Sequence, residues 1–180
     1  MAIIKPNNNT ISAITALPAA ITTGKVLQVV SATKSDTYAA NAGLQTFFDI
    51  SGLSLSITPS STSNKILIIA SMNGEGTSGA SRLAFRLVRD STAIGIGDAA
   101  GSRARTSTNP MYNSTSLRDM MNTTINFLDS PSTTSATTYK VQGYQTESTG
   151  THYVNRSEGD VDNAQYVRAI STITAYEIAG

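Results

Sequence analysis

The densest group of oxygen ligands in the chain is Glu158, Asp160, Asp162 and Asn163, the carboxylate and amide chemistry that calcium takes. Counting Asp160 as the first position of an EF-type loop puts Ala164 at the fifth and Ser171 at the twelfth. A ligand and a bidentate glutamate belong at those two places, so the motif fails and the segment reads as a solvated acidic turn. The same carboxylates are the material of a glycosidase pair, but spacing along a chain does not set their separation across a cleft. His152 is the only histidine, so a histidine-rich metal site cannot be assembled and any Ser-His-Asp triad would have to use it. No nucleophile-elbow pattern accompanies it, and between Thr151 and Tyr153 it reads as an ordinary polar residue on a strand or loop surface. Gly95, Gly97 and Gly101 around Asp98 do not form G-x-G-x-x-G and precede no helix, so they mark a loop rather than a phosphate cradle. No catalytic, cofactor-binding or metal residue is assigned, and the chain is expected not to be an enzyme.

Arg103 and Arg105, with Tyr112 and Arg118 downstream, are the remaining candidates. Guanidinium and phenol groups can bind carboxylates or glycans by charged hydrogen bonds and stacking, and the competing reading is a solvated loop. Charge excludes a large class of partners: 13 Lys plus Arg against 12 Asp plus Glu leave +1, and charged residues are 14% of the chain. No field of one sign exists to hold phosphate backbones, so nucleic acid is not an expected partner. With no cysteine, thiolate chemistry, disulfides and cysteine zinc sites are all absent. Met1 to Lys5 carries no signal-type apolar run and no stretch approaches a membrane span. Synthesis in a host cytoplasm and release by lysis are expected.

The elements that must position these groups are strands. Leu53, Leu55 and Ile57 alternate with Ser54 and Ser56, giving one apolar and one hydroxyl face. Leu83, Phe85 and Leu87 repeat the pattern. Strands are predicted over Val26–Val30, Thr46–Ile50, Leu53–Ile57, Ile66–Ala70, Thr92–Ile96, Thr123–Leu128, Thr138–Tyr144 and Arg168–Ile178 as well, separated by turn clusters such as Pro59 to Asn64. Lys65 to Ala70 is continuously apolar enough to be central. Ile170, Thr172, Thr174, Tyr176 and Ile178 share one side of the last strand, which is expected to leave the chain ordered to its end. This pattern predicts an all-β, two-sheet jelly roll over 24–180. Residues 1–23 read differently: Pro6 and Pro18 break them, and Ile3, Ile4, Ile11, Ile14, Leu17 and Ile21 are apolar anchors without a period. An extended attachment arm is predicted there, the alternative being a disordered tail with incidental isoleucines.

Several segments carry a family resemblance: Gly24-Lys25-Val26-Leu27-Gln28-Val29-Val30, Phe47 to Pro59, Ser63-Asn64-Lys65-Ile66-Leu67-Ile68, Leu128-Asp129-Ser130-Pro131, Thr138 to Val141 and Ile173 to Ile178. They resemble the head domains of phage virion surface proteins, the fibre-like and head-decoration proteins of cyanophages and related phages. The resemblance implies a trimeric knob similar in plan to C1q and tumour-necrosis-factor heads, displayed on a virion. It transfers no catalytic residue and no cofactor. The partners it implies are two further copies and a major capsid protein or tail component. A short arm in place of a shaft favours a capsid decoration or cement protein; a short tail fibre or receptor-binding tip for a host glycan or protein is the alternative. In that alternative the loops Met72–Ala80, Gly97–Asn109 and Gly150–Asp160 do the binding.

Overall fold

A computed structural model of the chain describes residues 25–77, 82–111, 116–146 and 150–180. The proposed arm and Tyr112 lie outside these residues. Ten strands follow one another: β1 Val26–Lys34, β2 Tyr38–Ala40, β3 Thr46–Ile57, β4 Lys65–Gly76, β5 Leu83–Arg89, β6 Thr92–Ile94, β7 Met121–Asp129, β8 Thr137–Gln145, β9 His152–Val154 and β10 Ser171–Ile178. They form two antiparallel sheets and no helix occurs among the described residues.

The larger sheet has the order β1-β10-β4-β9-β2, with β7 on the other side of β4; the smaller has the order β3-β8-β5-β6. Long β1, β10, β4 and β7 facing β3, β8, β5 and β6 is a jelly-roll order, in which consecutive strands alternate between sheets or return beside distant ones. Alternation decides which side chains meet in the middle. Leu53, Leu55 and Ile57 of β3, Leu83, Phe85 and Leu87 of β5, and Tyr139 and Val141 of β8 face Ile66, Ile68, Ala70 and Met72 of β4 and Ile173 and Ala175 of β10. Each such aliphatic side chain contributes about 1.5–3 kcal/mol of burial.

Two expected strands, Thr46–Ile50 and Leu53–Ile57, are one strand with a bulge. The pairing with β8 shifts register between Asp49 and Ser54, and Gly52 takes φ 88° inside the irregularity, a conformation that costs glycine little. Central placement of Lys65–Ala70 is borne out, since β4 pairs with β10, β7 and β9. Met72–Gly76, expected to be loop, instead continues β4. A Cβ on Gly74 would lie 2.5 Å from the Tyr153 carbonyl oxygen, so this glycine lets β9 approach rather than opening a turn. The last strand starts at Ser171, and its end is tied down: the Ala179 N–H donates to Lys25 O at 2.9 Å and the Gly180 N–H to Asn64 Oδ1 at 3.1 Å.

Two buried carboxylates hold the sandwich at the Ile57/Asp129 end. Glu177 Oε1 accepts from the Ser60 N–H at 2.6 Å, the Ser60 hydroxyl at 2.7 Å and Asn64 Nδ2 at 2.6 Å, while Oε2 accepts from Gln28 Nε2 at 2.6 Å. Desolvation opposes its ionisation, but the bonds from Asn64, Ser60 and Gln28 outweigh it and hold the carboxyl at about 2. Asp129 accepts from Arg89 Nη1 at 2.9 Å on both oxygens and from the Tyr139 hydroxyl at 2.6 Å. Burial, together with that bond to Asp129, pushes the Tyr139 phenol well above its usual range.

Candidate functional site

The candidate recognition residues fall on two loops. After β6 the chain runs out and returns so that Ser107 and Thr108 N–H groups bond to Phe85 O at 2.9 and 3.2 Å. Arg105 Nε donates to Gly97 O at 2.6 Å and Arg103 Nη1 to Ala100 O at 3.1 Å. Both guanidinium groups therefore brace the loop that carries them, and both residues are exposed. Gly95, at the start of this loop, packs against β7: a Cβ there would sit 2.8 Å from the Phe127 ring.

Arg118 sits elsewhere, with Nη1 donating to Gln165 Oε1 at 2.5 Å. The two side chains line an open groove of about 790 Å³ shared with Asn73, Ser116, Asp119, Met120, Val167 and Ala169. Neither Arg103 nor Arg105 lines that groove. Its guanidinium, carboxylate, amides and hydroxyl can make directional hydrogen bonds to a polar ligand such as a saccharide or a peptide backbone.

The acidic turn is organised by arginine. Asp160, at φ 40°, lies 2.7 Å from Arg168 Nη2 and 3.3 Å from Arg156 Nη1. Arg156 in turn stacks over the Tyr153 ring at 4.3 Å. Asn163 Oδ1 accepts the Gln165 N–H at 2.9 Å, and the Glu158 N–H donates to Glu75. The oxygens thus shape the 155–170 loop, and among the described residues no three acidic or histidine side chains gather as a metal site.

His152 corrects the sequence reading. It is fully buried on β9 rather than at a surface, with Nε2 3.0 Å from Arg82 O and its ring 5.9 Å from that of Phe48. Burial lowers its pKa, against the opposing effect of hydrogen bonds to the Arg82 and Ala40 backbones. The β2–β9 pairing that encloses it involves three residues on each strand, too few for an alternation to be visible.

A cluster on the outer face of the small sheet escaped the sequence reading. Phe47, Tyr144 and Ala84 lie in one row across β3, β8 and β5, and Asp49, Gln142 and Arg86 in the next. The Arg86 guanidinium lies 3.4 Å from the centre of the Phe47 ring, and Phe47 and Tyr144 rings are 4.5 Å apart. Asp49 accepts from Lys140 Nζ at 2.8 Å and from Gln142 Nε2 at 2.6 Å, and Arg86 Nε donates to Gln142 Oε1 at 2.8 Å. The bonds from Lys140 and Gln142 lower the Asp49 pKa. Only the registers of three distant strands bring these side chains together, so no local motif announces them.

The fold class is an antiparallel jelly-roll sandwich whose described surface carries braced loops and a polar groove lined by Arg118 and Gln165. No protein-family model and no curated protein matches the chain. Solved structures of similar chain path come from infectious bursal disease virus. The structure of its Gx strain is 18% identical over 83% of this chain and 37% of that one, with a TM-score of 0.42. Its T13 viral particle is 14% identical over 90% and 39%, at 0.45. Its VP2 subviral particle is 13% identical over 84% and 38%, also at 0.45. The chain spans well under half the length of each.

Proposed function

We propose that this chain is a non-enzymatic structural protein of a bacteriophage particle: a trimeric jelly-roll knob on the virion surface, held by its N-terminal arm, acting as a capsid decoration or cement protein. The observation that carries the reading is where the family-like segments fall. Phe47 to Pro59 forms β3 and its exit, Ser63 to Ile68 enters β4, and Ile173 to Ile178 ends β10. Glu177, in the last of these, accepts from Asn64 of the second, from Gln28 of the 24–30 segment and from Ser60, which follows the first. The resemblance therefore covers the framework of the sandwich, and the role it supports is mechanical. Ile3, Ile4, Ile11, Ile14, Leu17 and Ile21 would anchor the arm on a capsid subunit, adding buried area across subunit joints.

A receptor-binding tip is the second reading, and the groove around Arg118 and Gln165 favours it. There Asn73, Asp119 and Ser116 offer a host glycan further hydrogen-bond partners. Immunogold electron microscopy of intact particles with an antibody to this chain separates the two. Label over the head supports decoration, label at the tail supports the tip, and unlabelled particles contradict both. Deleting residues 1–23 is expected to abolish attachment while leaving the sandwich folded.

A further inference from the structure

Strand register builds a second surface that the loops do not use. On the outer side of the large sheet, Val29 lies opposite Tyr176, Tyr176 opposite Leu67, and Leu67 opposite Leu128, an apolar row across β1, β10, β4 and β7. The next row is Ser31, Thr174, Ile69 and Asn126, and the one after it Thr33, Thr172, Ser71 and Thr124. Val26 pairs with Ile178 beyond the first row, where Lys65 closes the face. Val29 is 54% exposed, Val26 52% and Leu128 49%. Scattered apolar residues are normal on a surface, whereas a contiguous row rimmed by polar groups marks a contact site.

We propose that this face docks a second copy of the same chain. Its charge pattern selects that occupant. None of the twelve side chains in the three rows is charged, so two identical faces do not repel each other, as two faces of one sign would. Hydroxyl groups both donate and accept, so a seryl and threonyl surface can satisfy its own copy; Ser31 and Thr174 already share such a bond at 2.9 Å. A phosphate-bearing or strongly basic partner finds no counter-charge within the three rows, with Lys65 alone at their edge. Area agrees when the row of Val26, Ile178 and Lys65 is included: four strands spaced ~4.8 Å apart and eight residues at ~3.3 Å each give roughly 500 Å² per copy. Two copies together bury about 1,000 Å², the lower bound for a specific protein contact. The inference stands on the sheet alone: it is a two-fold contact of like faces, whereas a trimer closes through heterologous ones, and it requires neither the virion reading nor its trimer.

Sedimentation equilibrium of the full chain over a roughly hundredfold concentration range tests it. The wild type is expected to associate. Val29→Lys with Leu128→Lys, placed at half-exposed positions that folding tolerates, is expected to sediment as a monomer with an unchanged thermal transition. Asp49→Ala with Lys140→Ala on the other sheet should associate like the wild type. If the lysine pair fails to fold, Val29→Ser with Leu128→Ser must weaken association by about tenfold or more. A wild type that stays monomeric, or a lysine pair that associates normally, overturns the proposal. So does a chain lacking residues 1–24 that associates when the wild type does not, since its own N-terminal segment would then be the occupant. Association through this face without label on particles would keep this inference and sink the virion reading.

Discussion

The two outer faces of the sandwich treat charge in opposite ways. On the small sheet, Asp49, Lys140 and Arg86 stand outside, and Gln142 joins them into one hydrogen-bonded patch. On the large sheet Lys34, Glu75, Asp129 and Glu177 are buried, and exposed Lys65 stands at the edge of the outer face, beyond three rows between β1 and β7 that carry no charge. A surface whose charges are mutually paired in water needs no partner, while a neutral apolar row gains by being covered. The near-zero net charge of the chain therefore averages two surfaces of different character, and the neutral one is where association is expected.

The sharpest way to break this contrast is to remove an inward charge. Asp129→Ala leaves Arg89 and the Tyr139 hydroxyl without their shared acceptor, and should cost about 3 kcal/mol in urea unfolding. Glu177→Leu strands the Ser60 N–H and the Asn64 and Gln28 amides, and should cost about 2 kcal/mol by the same measurement. Removing an outward charge should do far less: Lys140→Ala is expected to lose at most about 0.5 kcal/mol. A Lys140 effect as large as that of Asp129 would erase the distinction.

Acid should probe the same contrast. His152 is depressed below 6.5, so the unfolded chain takes up its proton first. Stability is full above that pH and falls as pH drops below it. Glu177, held at about 2 against 4.5 when free, adds a second loss as pH falls from 4.5 towards 2. Both groups belong to the large sheet. His152→Phe, which keeps a ring against Phe48, should remove the decline that begins near pH 6.5 and leave the lower one, as read from thermal unfolding across pH.

Much of this architecture was legible in the sequence. Leu53, Leu55 and Ile57 against Ser54 and Ser56 gave the core face of β3 directly, because period-two alternation is local. The outer side of β10 was legible too, as Thr172, Thr174 and Tyr176 in alternation, but not what stands beside it. Val29, Leu67 and Leu128 reach Tyr176 only through registers that join strands far apart in the chain. Arg86 over Phe47 was hidden for the same reason. His152 was placed at a surface because a three-residue strand shows no period, and Met72–Ala80 was read as a loop because a glycine such as Gly74 that admits a neighbouring backbone looks in sequence like a loop glycine.

Hydroxyl-radical footprinting of the chain at high and low concentration tests the contrast most directly, because oxidation reports the solvent access of individual side chains. Tyr176, Leu67 and Leu128 should be protected when concentrated and labelled on dilution, while Phe47 and Tyr144 on the opposite sheet label alike in both. Equal labelling of Tyr176 at both concentrations, or protection of Phe47 instead, would contradict the assignment of the neutral face as the contact between copies.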